Sequence, residues 1–231
     1  MAPRNWRGRW IKTPPMQLII FDFDGVIADS ERLANQVLAE GLSEIGLPTT
    51  TEQALLLYMG RRWADCLPIM EKRRGGPLPE GFVSAQVANA HDRIASEVTA
   101  VPGLENFLSM FAAKPRCIAS SSTHDYIGRC LDRMSLAHWF EHRFSAHDVQ
   151  RGKPYPDVFL KAAATMGVAP QDCLVIEDST AGVKAGKAAG MLTIGLCAGG
   201  HIVEGHAERL AEAGADTVVS SYGELAQLLR P

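Results

Sequence analysis

The chain has 231 residues, 46% of them hydrophobic, and a formal net charge of −3. That apolar content excludes wholesale disorder, and the length suits one large domain or one domain carrying a smaller insert. The mild negative charge gives no footing for nucleic acid or an anionic membrane, and no apolar run reaches the roughly 20 residues a membrane helix needs.

The first fifteen residues, MAPRNWRGRWIKTPP, are basic and carry two Trp without an apolar stretch behind them. They read as a loose tail over 1–15 rather than a signal peptide. Leu18–Phe21 is then a continuous apolar run, the pattern of a buried parallel strand, and it passes directly into Asp22, Asp24 and Gly25. From about Glu31 to Ala100 no strand is evident. The text there is helical (ANQVLAEGLSEI, TEQALLLYMG, SAQVANAHDRIASEV), broken by a loop reading at Arg73-Arg74-Gly75-Gly76-Pro77 and closed by the turn signal Val101-Pro102-Gly103. Further strand-like runs follow at Arg116–Ala119, Leu174–Ile176, Leu192–Leu196 and Thr217–Val219, with helical stretches at Val158–Met166 and Gly182–Ala189. This alternation predicts an α/β fold, a Rossmann-like parallel sheet over 16–30 and 101–231, with an all-helical cap inserted at 31–100.

In open parallel sheets ligands bind beyond the carboxyl ends of the strands, so the residues following each apolar run are the candidates. They are Asp22 and Asp24 after the first, Ser120, Ser121 and Ser122 after the second, and Glu177 and Asp178 after the third. Between the last two lies Arg151-Gly152-Lys153-Pro154. Gathered carboxylates point to a hard divalent cation such as Mg²⁺, while a lysine and a serine hydroxyl are good partners for phosphate oxygens. An Asp carboxylate can itself attack phosphorus. The set suits phosphoryl transfer. Asp-x-Asp-Gly also occurs in EF-hand loops, and Glu177-Asp178 resembles the acidic end of a Walker B strand. The preceding strand and missing loop Glu oppose the first, and the absence of G-x-x-x-x-G-K-[ST] opposes the second.

Several residues carry plainer expectations. Asp29 reads as the cap of the helix entering the insert, and Asp157 as a helix-start residue bracing Lys153. Gly25 lets backbone approach a phosphate, whereas Gly182, Gly186 and Gly190 mark close helix packing. His138 and His142 have metal-compatible spacing but no third ligand, and read as packing or surface residues. The five cysteines contain no CxxC pair, which suits a reducing, cytoplasmic setting.

Asp22-Phe23-Asp24-Gly25-Val26, Ser120, Lys153-Pro154 and Glu177-Asp178, in that order, resemble the four motifs of the haloacid dehalogenase (HAD) superfamily. The strings FDFDGVIADSE, RGKPYPDVF and VIEDSTAGVKAGKAAGM are similar to its β-phosphoglucomutase-like phosphatase branch with a helical cap, over roughly residues 17 to 225. Asp24 separates this chain from dehalogenases proper, which lack that second carboxylate. The resemblance implies Asp22 as nucleophile and Asp24 as general acid and then base. It implies Mg²⁺ on Asp22, Asp178 and the Asp24 carbonyl, with Glu177 direct or through water, and Ser120 and Lys153 on the phosphoryl oxygens. Gly25 and Ser121 would stand beside the phosphate. Separately, guanidinium groups pair well with phosphate or sugar oxygens, so Arg61 or Arg62 of the cap is expected to contact the substrate, the competing reading being solvated surface charge. Mutases of this branch carry a His where Ala34 stands and an Arg where Trp63 stands. The expectation is therefore hydrolysis of a small phosphorylated metabolite, a sugar phosphate. A phosphohexose mutase is the alternative, and a phospho-accepting receiver domain the remote one.

Overall fold

The computed structural model describes residues 16–59 and 63–230. The expected tail over 1–15 and the Gly60-Arg61-Arg62 stretch lie outside the described residues. Six strands form one parallel sheet: β1 (Leu18–Phe21), β2 (Arg116–Ser120), β3 (Arg143–Ser145), β4 (Cys173–Glu177), β5 (Leu192–Leu196) and β6 (Thr217–Val219). Their order across the sheet is β3-β2-β1-β4-β5-β6, and every pairing is parallel. The Rossmann-like α/β expectation is met. Five strands coincide with the apolar runs, and β3 is an addition at the sheet edge.

The runs are apolar throughout because both faces are covered. Ile19 and Phe21 face one core, which also holds Phe107, Ile127 and Leu225. These come from α5 (Leu104–Met110), α6 (His124–Arg133) and α10 (Tyr222–Leu229). Leu18 and Ile20 face the other, with Val158, Phe159 and Ala185 from α7 (Asp157–Thr165) and α8 (Thr180–Ala188). The helix α9 (His206–Glu212) packs through Leu210 near β5 and β6.

Between β1 and α5 the chain leaves the sheet for four helices: α1 (Ser30–Glu44), α2 (Thr51–Tyr58), α3 (Trp63–Arg74) and α4 (Phe82–Glu97). They share their own apolar cluster around Leu42, Tyr58, Met70 and Phe82. The two ends of this excursion are tied together. Ala28 bridges Ala100, the Asp29 N–H donates to the Thr99 carbonyl at 2.9 Å, and the Val101 N–H donates to that of Ile27 at 2.9 Å. Arg73 and Arg74 belong to the last turn of α3, so the loop reading begins only at Gly75. No helix among the described residues is long and apolar enough to cross a membrane.

Candidate active site

Parallel strands bring their carboxyl ends to one edge, and that edge holds the charged residues. The Asp22 N–H still donates to the Ile176 carbonyl at 2.9 Å, which aligns the end of β1 with the end of β4. Asp22, Glu177 and Asp178 each turn a carboxylate oxygen into one cluster, all within 4.8 Å of one another. Three carboxylates so close repel by about 3 kcal/mol per pair at an effective dielectric of 20. Lys153 is the cation among them, its side chain 5% exposed. Its Nζ donates to Asp22 Oδ1 at 2.5 Å, Glu177 Oε1 at 2.7 Å and the Ala119 carbonyl at 3.0 Å.

Electrostatics follow from burial. Asp22 is pushed well above the ordinary carboxylate range by burial and by Glu177, with Lys153 opposing. Asp178 is raised likewise, first by burial and then by Glu177. Burial works to discharge Lys153, but Asp22 and Glu177 together outweigh it and hold the ammonium charged. One lysine against three carboxylates leaves an excess of negative charge on hard oxygen donors. That donor set fits Mg²⁺, which takes a few protein oxygens and keeps places for water and phosphate.

Asp24 stands in a different environment. Its Oδ1 accepts from Ser30 Oγ at 2.6 Å and Tyr126 Oη at 2.9 Å, and its Oδ2 from Ser122 Oγ at 2.6 Å. Three hydroxyls fix the carboxylate's orientation. Burial and then Asp24 itself push the Tyr126 phenol upward, so it stays a donor. Gly25 adopts φ +77°, and a Cβ there would lie 1.8 Å from Asp178 Oδ2, so the glycine admits the Asp178 carboxylate. Ser120 is buried and accepts from the Ser122 N–H at 3.0 Å, while Ser121 is exposed on the cleft wall.

Glu177 is fully buried, and its second oxygen accepts from the Ser179 N–H and Oγ, both at 2.9 Å. Ser179 also caps α8, accepting from the Gly182 N–H at 3.0 Å. A Cβ on Gly182 would lie 1.6 Å from Glu177 Oε1, and one on Gly186 2.6 Å from Thr193 Oγ1. Both glycines mark close packing as expected. Gly190 does not: nothing stands within 4 Å of a Cβ there, and its φ of +74° is what requires glycine.

Two further expectations are corrected. Asp29 occupies the N-cap position of α1 but makes no side-chain cap, its Oδ1 accepting instead from the Gly200 N–H at 2.8 Å. Asp157 opens α7 as expected, but it pairs with Arg151 at 2.9 Å rather than bracing Lys153, because Arg151 reaches it as a bidentate fork. His138 stacks on Trp139 in a single 3₁₀ turn, so the two histidines share no helix face. Sequence reasoning missed Ser30 and Tyr126 as partners of Asp24. It also missed His201, 2% exposed, whose Nε2 lies 2.9 Å from Asp178 Oδ2. Burial lowers the His201 pKa against the opposing pull of Glu31 and Asp29.

Asp22, Ser120, Ser121, Lys153 and Asp178 line one cleft of about 690 Å³. A second cavity of about 380 Å³ adjoins it, with Asp24, Glu31, Met59 and Ser122 lining both.

Comparison with known proteins gives the family. Residues 19–196 match the model of the haloacid dehalogenase-like hydrolase family, and the chain belongs to that family. The chain is 29% identical over 191 residues to the 6-phosphogluconate phosphatase of Escherichia coli K12, covering 80% of this chain and 85% of that protein. It is 28% identical over 173 residues to the fructose-1-phosphate phosphatase YqaB of the same organism, covering 75% and 92%. Among solved structures, a HAD family hydrolase from Deinococcus radiodurans with bound phosphate and sodium is 32% identical at a TM-score of 0.83. It covers 94% of this chain and 99% of its own.

Proposed function

We propose that the protein is a Mg²⁺-dependent phosphoric monoester hydrolase that releases inorganic phosphate from a small sugar phosphate through a phospho-aspartate on Asp22. The observation that carries this reading is the division of labour between two aspartates two residues apart. Asp22 belongs to the carboxylate cluster and touches Lys153, whereas Asp24 is held apart by three hydroxyls. The names of the relatives, phosphatases of 6-phosphogluconate and fructose 1-phosphate, support the substrate class.

In this mechanism an Asp22 oxygen attacks phosphorus and the bond from phosphorus to the leaving oxygen breaks, that oxygen taking its proton from Asp24. Water then attacks the phospho-aspartate, giving a proton to Asp24 as the phosphorus–Asp22 bond breaks. Phosphate leaves and both carboxyls return to their first state. Lys153, Ser120 and Ser121 bind the phosphoryl oxygens, while Gly25 admits the Asp178 carboxylate beside them. Asp22, Asp178 and the Asp24 carbonyl, with Glu177 directly or through water, would hold Mg²⁺, whose charge polarises the phosphoryl group. Phosphate monoester hydrolysis can require accelerations approaching roughly 10²¹, beyond what one group supplies. Metal, lysine, nucleophile and acid each contribute.

Residues 31–100 act as the cap, a lid that excludes water and reads the leaving group. Ala34 and Trp63, at the two positions where mutases of this branch carry His and Arg, both line the cavity beside Asp24. A methyl and an indole there support hydrolysis over isomerisation. The five free cysteines, four of them buried, support a cytoplasmic enzyme. The test is phosphate release from a panel of sugar phosphates with Mg²⁺ and with chelator. Asp22→Asn is expected to abolish release, and undiminished activity in that variant overturns the nucleophile assignment.

A further inference from the structure

The cavity of about 380 Å³ beside Asp24 extends from the sheet edge into the four-helix excursion. Its walls are largely apolar, with Trp63, Met70, Ala90 and Ile94 among them. One polar residue lining it carries a buried atom without a partner. Gln86 of α4 is 7% exposed, and its Oε1 has no hydrogen-bond partner. The amide is held against α1 at Gly41, where a Cβ would lie 2.1 Å from Nε2. The absence of a side chain at Gly41 is what gives the amide its place. A buried acceptor left unpaired destabilises a protein unless something else satisfies it.

We propose that Gln86 is a specificity residue that hydrogen-bonds a hydroxyl of the substrate's leaving group, remote from the ester oxygen. The inference rests on the phosphatase reading, because that reading puts the leaving oxygen at Asp24, which lines this same cavity. From there the leaving group has the cavity to extend into. Its carbon skeleton meets Trp63, Met70, Ala90 and Ile94, and a remote hydroxyl meets the amide. A hydroxyl both donates and accepts, so it satisfies either side of the amide. The ligand class is therefore a phosphorylated polyhydroxy compound long enough to reach α4. Two-carbon phosphates fall outside it, because they would leave Gln86 unpaired. A site built to pair a substrate hydroxyl discriminates strongly against compounds that lack it.

The test compares fructose 1-phosphate and sorbitol 6-phosphate with acetyl phosphate, a two-carbon probe, in wild type, Gln86→Met and Ala90→Phe, each with Mg²⁺. Gln86→Met keeps the side-chain length and removes the amide, and Ala90→Phe fills the cavity while keeping it. Both variants are expected to raise KM for the better sugar phosphate, Gln86→Met by about 10- to 100-fold. Both should leave acetyl phosphate turnover within about twofold. An equal loss on both substrate types would mark a merely structural role and overturn the proposal, as would an unchanged KM for the sugar phosphate. Wild type that turns over acetyl phosphate in an Asp22-dependent way but no sugar phosphate overturns this inference and the sugar-phosphate assignment, and leaves the phospho-aspartate chemistry standing. Wild type that hydrolyses neither, with Mg²⁺ present, overturns the phosphatase reading and this inference with it.

Discussion

Replacing Asp178 by Asn should stabilise the metal-free protein while destroying its response to Mg²⁺. Asp178 is buried, and its carboxylate shares a space within 4.8 Å with those of Asp22 and Glu177. Each pairwise repulsion at that separation is about 3 kcal/mol at an effective dielectric of 20. Asn keeps the shape, removes two such repulsions and the burial of a charge, and forfeits one attraction of similar size to Lys153. The remainder, after relaxation, is about 1–3 kcal/mol in favour of the variant. For a chain of this length that corresponds to roughly 2–10 °C in Tm. The sign follows from linkage. A carboxyl whose folded pKa is raised above the ordinary 3.8 burdens stability at neutral pH, and the burden lifts as pH falls through that raised pKa toward 3.8. The gap between variant and wild type should therefore close on acidification. The assay is denaturation in chelator at pH 7.5 and again in excess Mg²⁺. At a hundred times the dissociation constant, metal adds about 2.7 kcal/mol to wild type and little to the variant, so the order reverses or closes. A variant less stable than wild type in chelator would refute the charge account of the cluster.

Lys153→Met leaves Asp22 and Glu177 buried without their cation, and breaking such a buried pair is expected to destabilise by about 3–5 kcal/mol. Urea unfolding in chelator measures it, and loss of phosphate release should accompany it. Glu31, raised by burial and then by Asp24 and Asp178 to about 7 from 4.5, contributes an opposite, pH-dependent effect. Glu31→Gln should stabilise the metal-free protein by up to about 3 kcal/mol above pH 8, with the gain fading as pH falls to 4.5, as a series of melting curves would show. Tyr126→Phe removes one of the hydroxyls orienting Asp24, a loss of about 1–3 kcal/mol when one partner of a buried hydrogen bond is deleted. Steady-state kinetics should show kcat falling about 10- to 100-fold with KM for a sugar phosphate little changed.

The strand ends were legible because their signal is local. An apolar run that stops in a carboxylate, as at Phe21-Asp22 and Ile176-Glu177, marks both a buried parallel strand and the place where the clustered carboxylates emerge. The helical excursion was legible for a similar reason, as helical text uninterrupted by strand-like runs. Strand β3 lacked such a signal, since Phe144 is its lone apolar residue between Arg143 and Ser145. An edge strand paired on one side needs no continuous apolar run. The partners of Asp24 were hidden by distance along the chain: Ser122 lies 98 positions away and Tyr126 102. Nothing in the spacing of hydroxyl residues announces a shared carboxylate.

Asp29 and Asp157, rightly placed at helix starts but wrongly partnered, show the same boundary from the other side. Asp29 stands where local rules put a helix cap, and it does occupy the N-cap position. The Gly200 N–H, 171 positions away, reaches its carboxylate instead. Local propensity decides where a helix begins, and tertiary structure decides what the capping side chain does. Gln86 follows the same logic. In an amphipathic pattern a polar residue on a cap helix reads as solvent-facing, yet Gly41 on the neighbouring helix leaves room for its amide to lie buried. The sheet edge carries chemistry that local rules reveal. The helices above it are held by pairs such as Gly41 and Gln86 that meet only once the chain has folded, so a role for them in substrate choice, proposed above, has no local sequence signal.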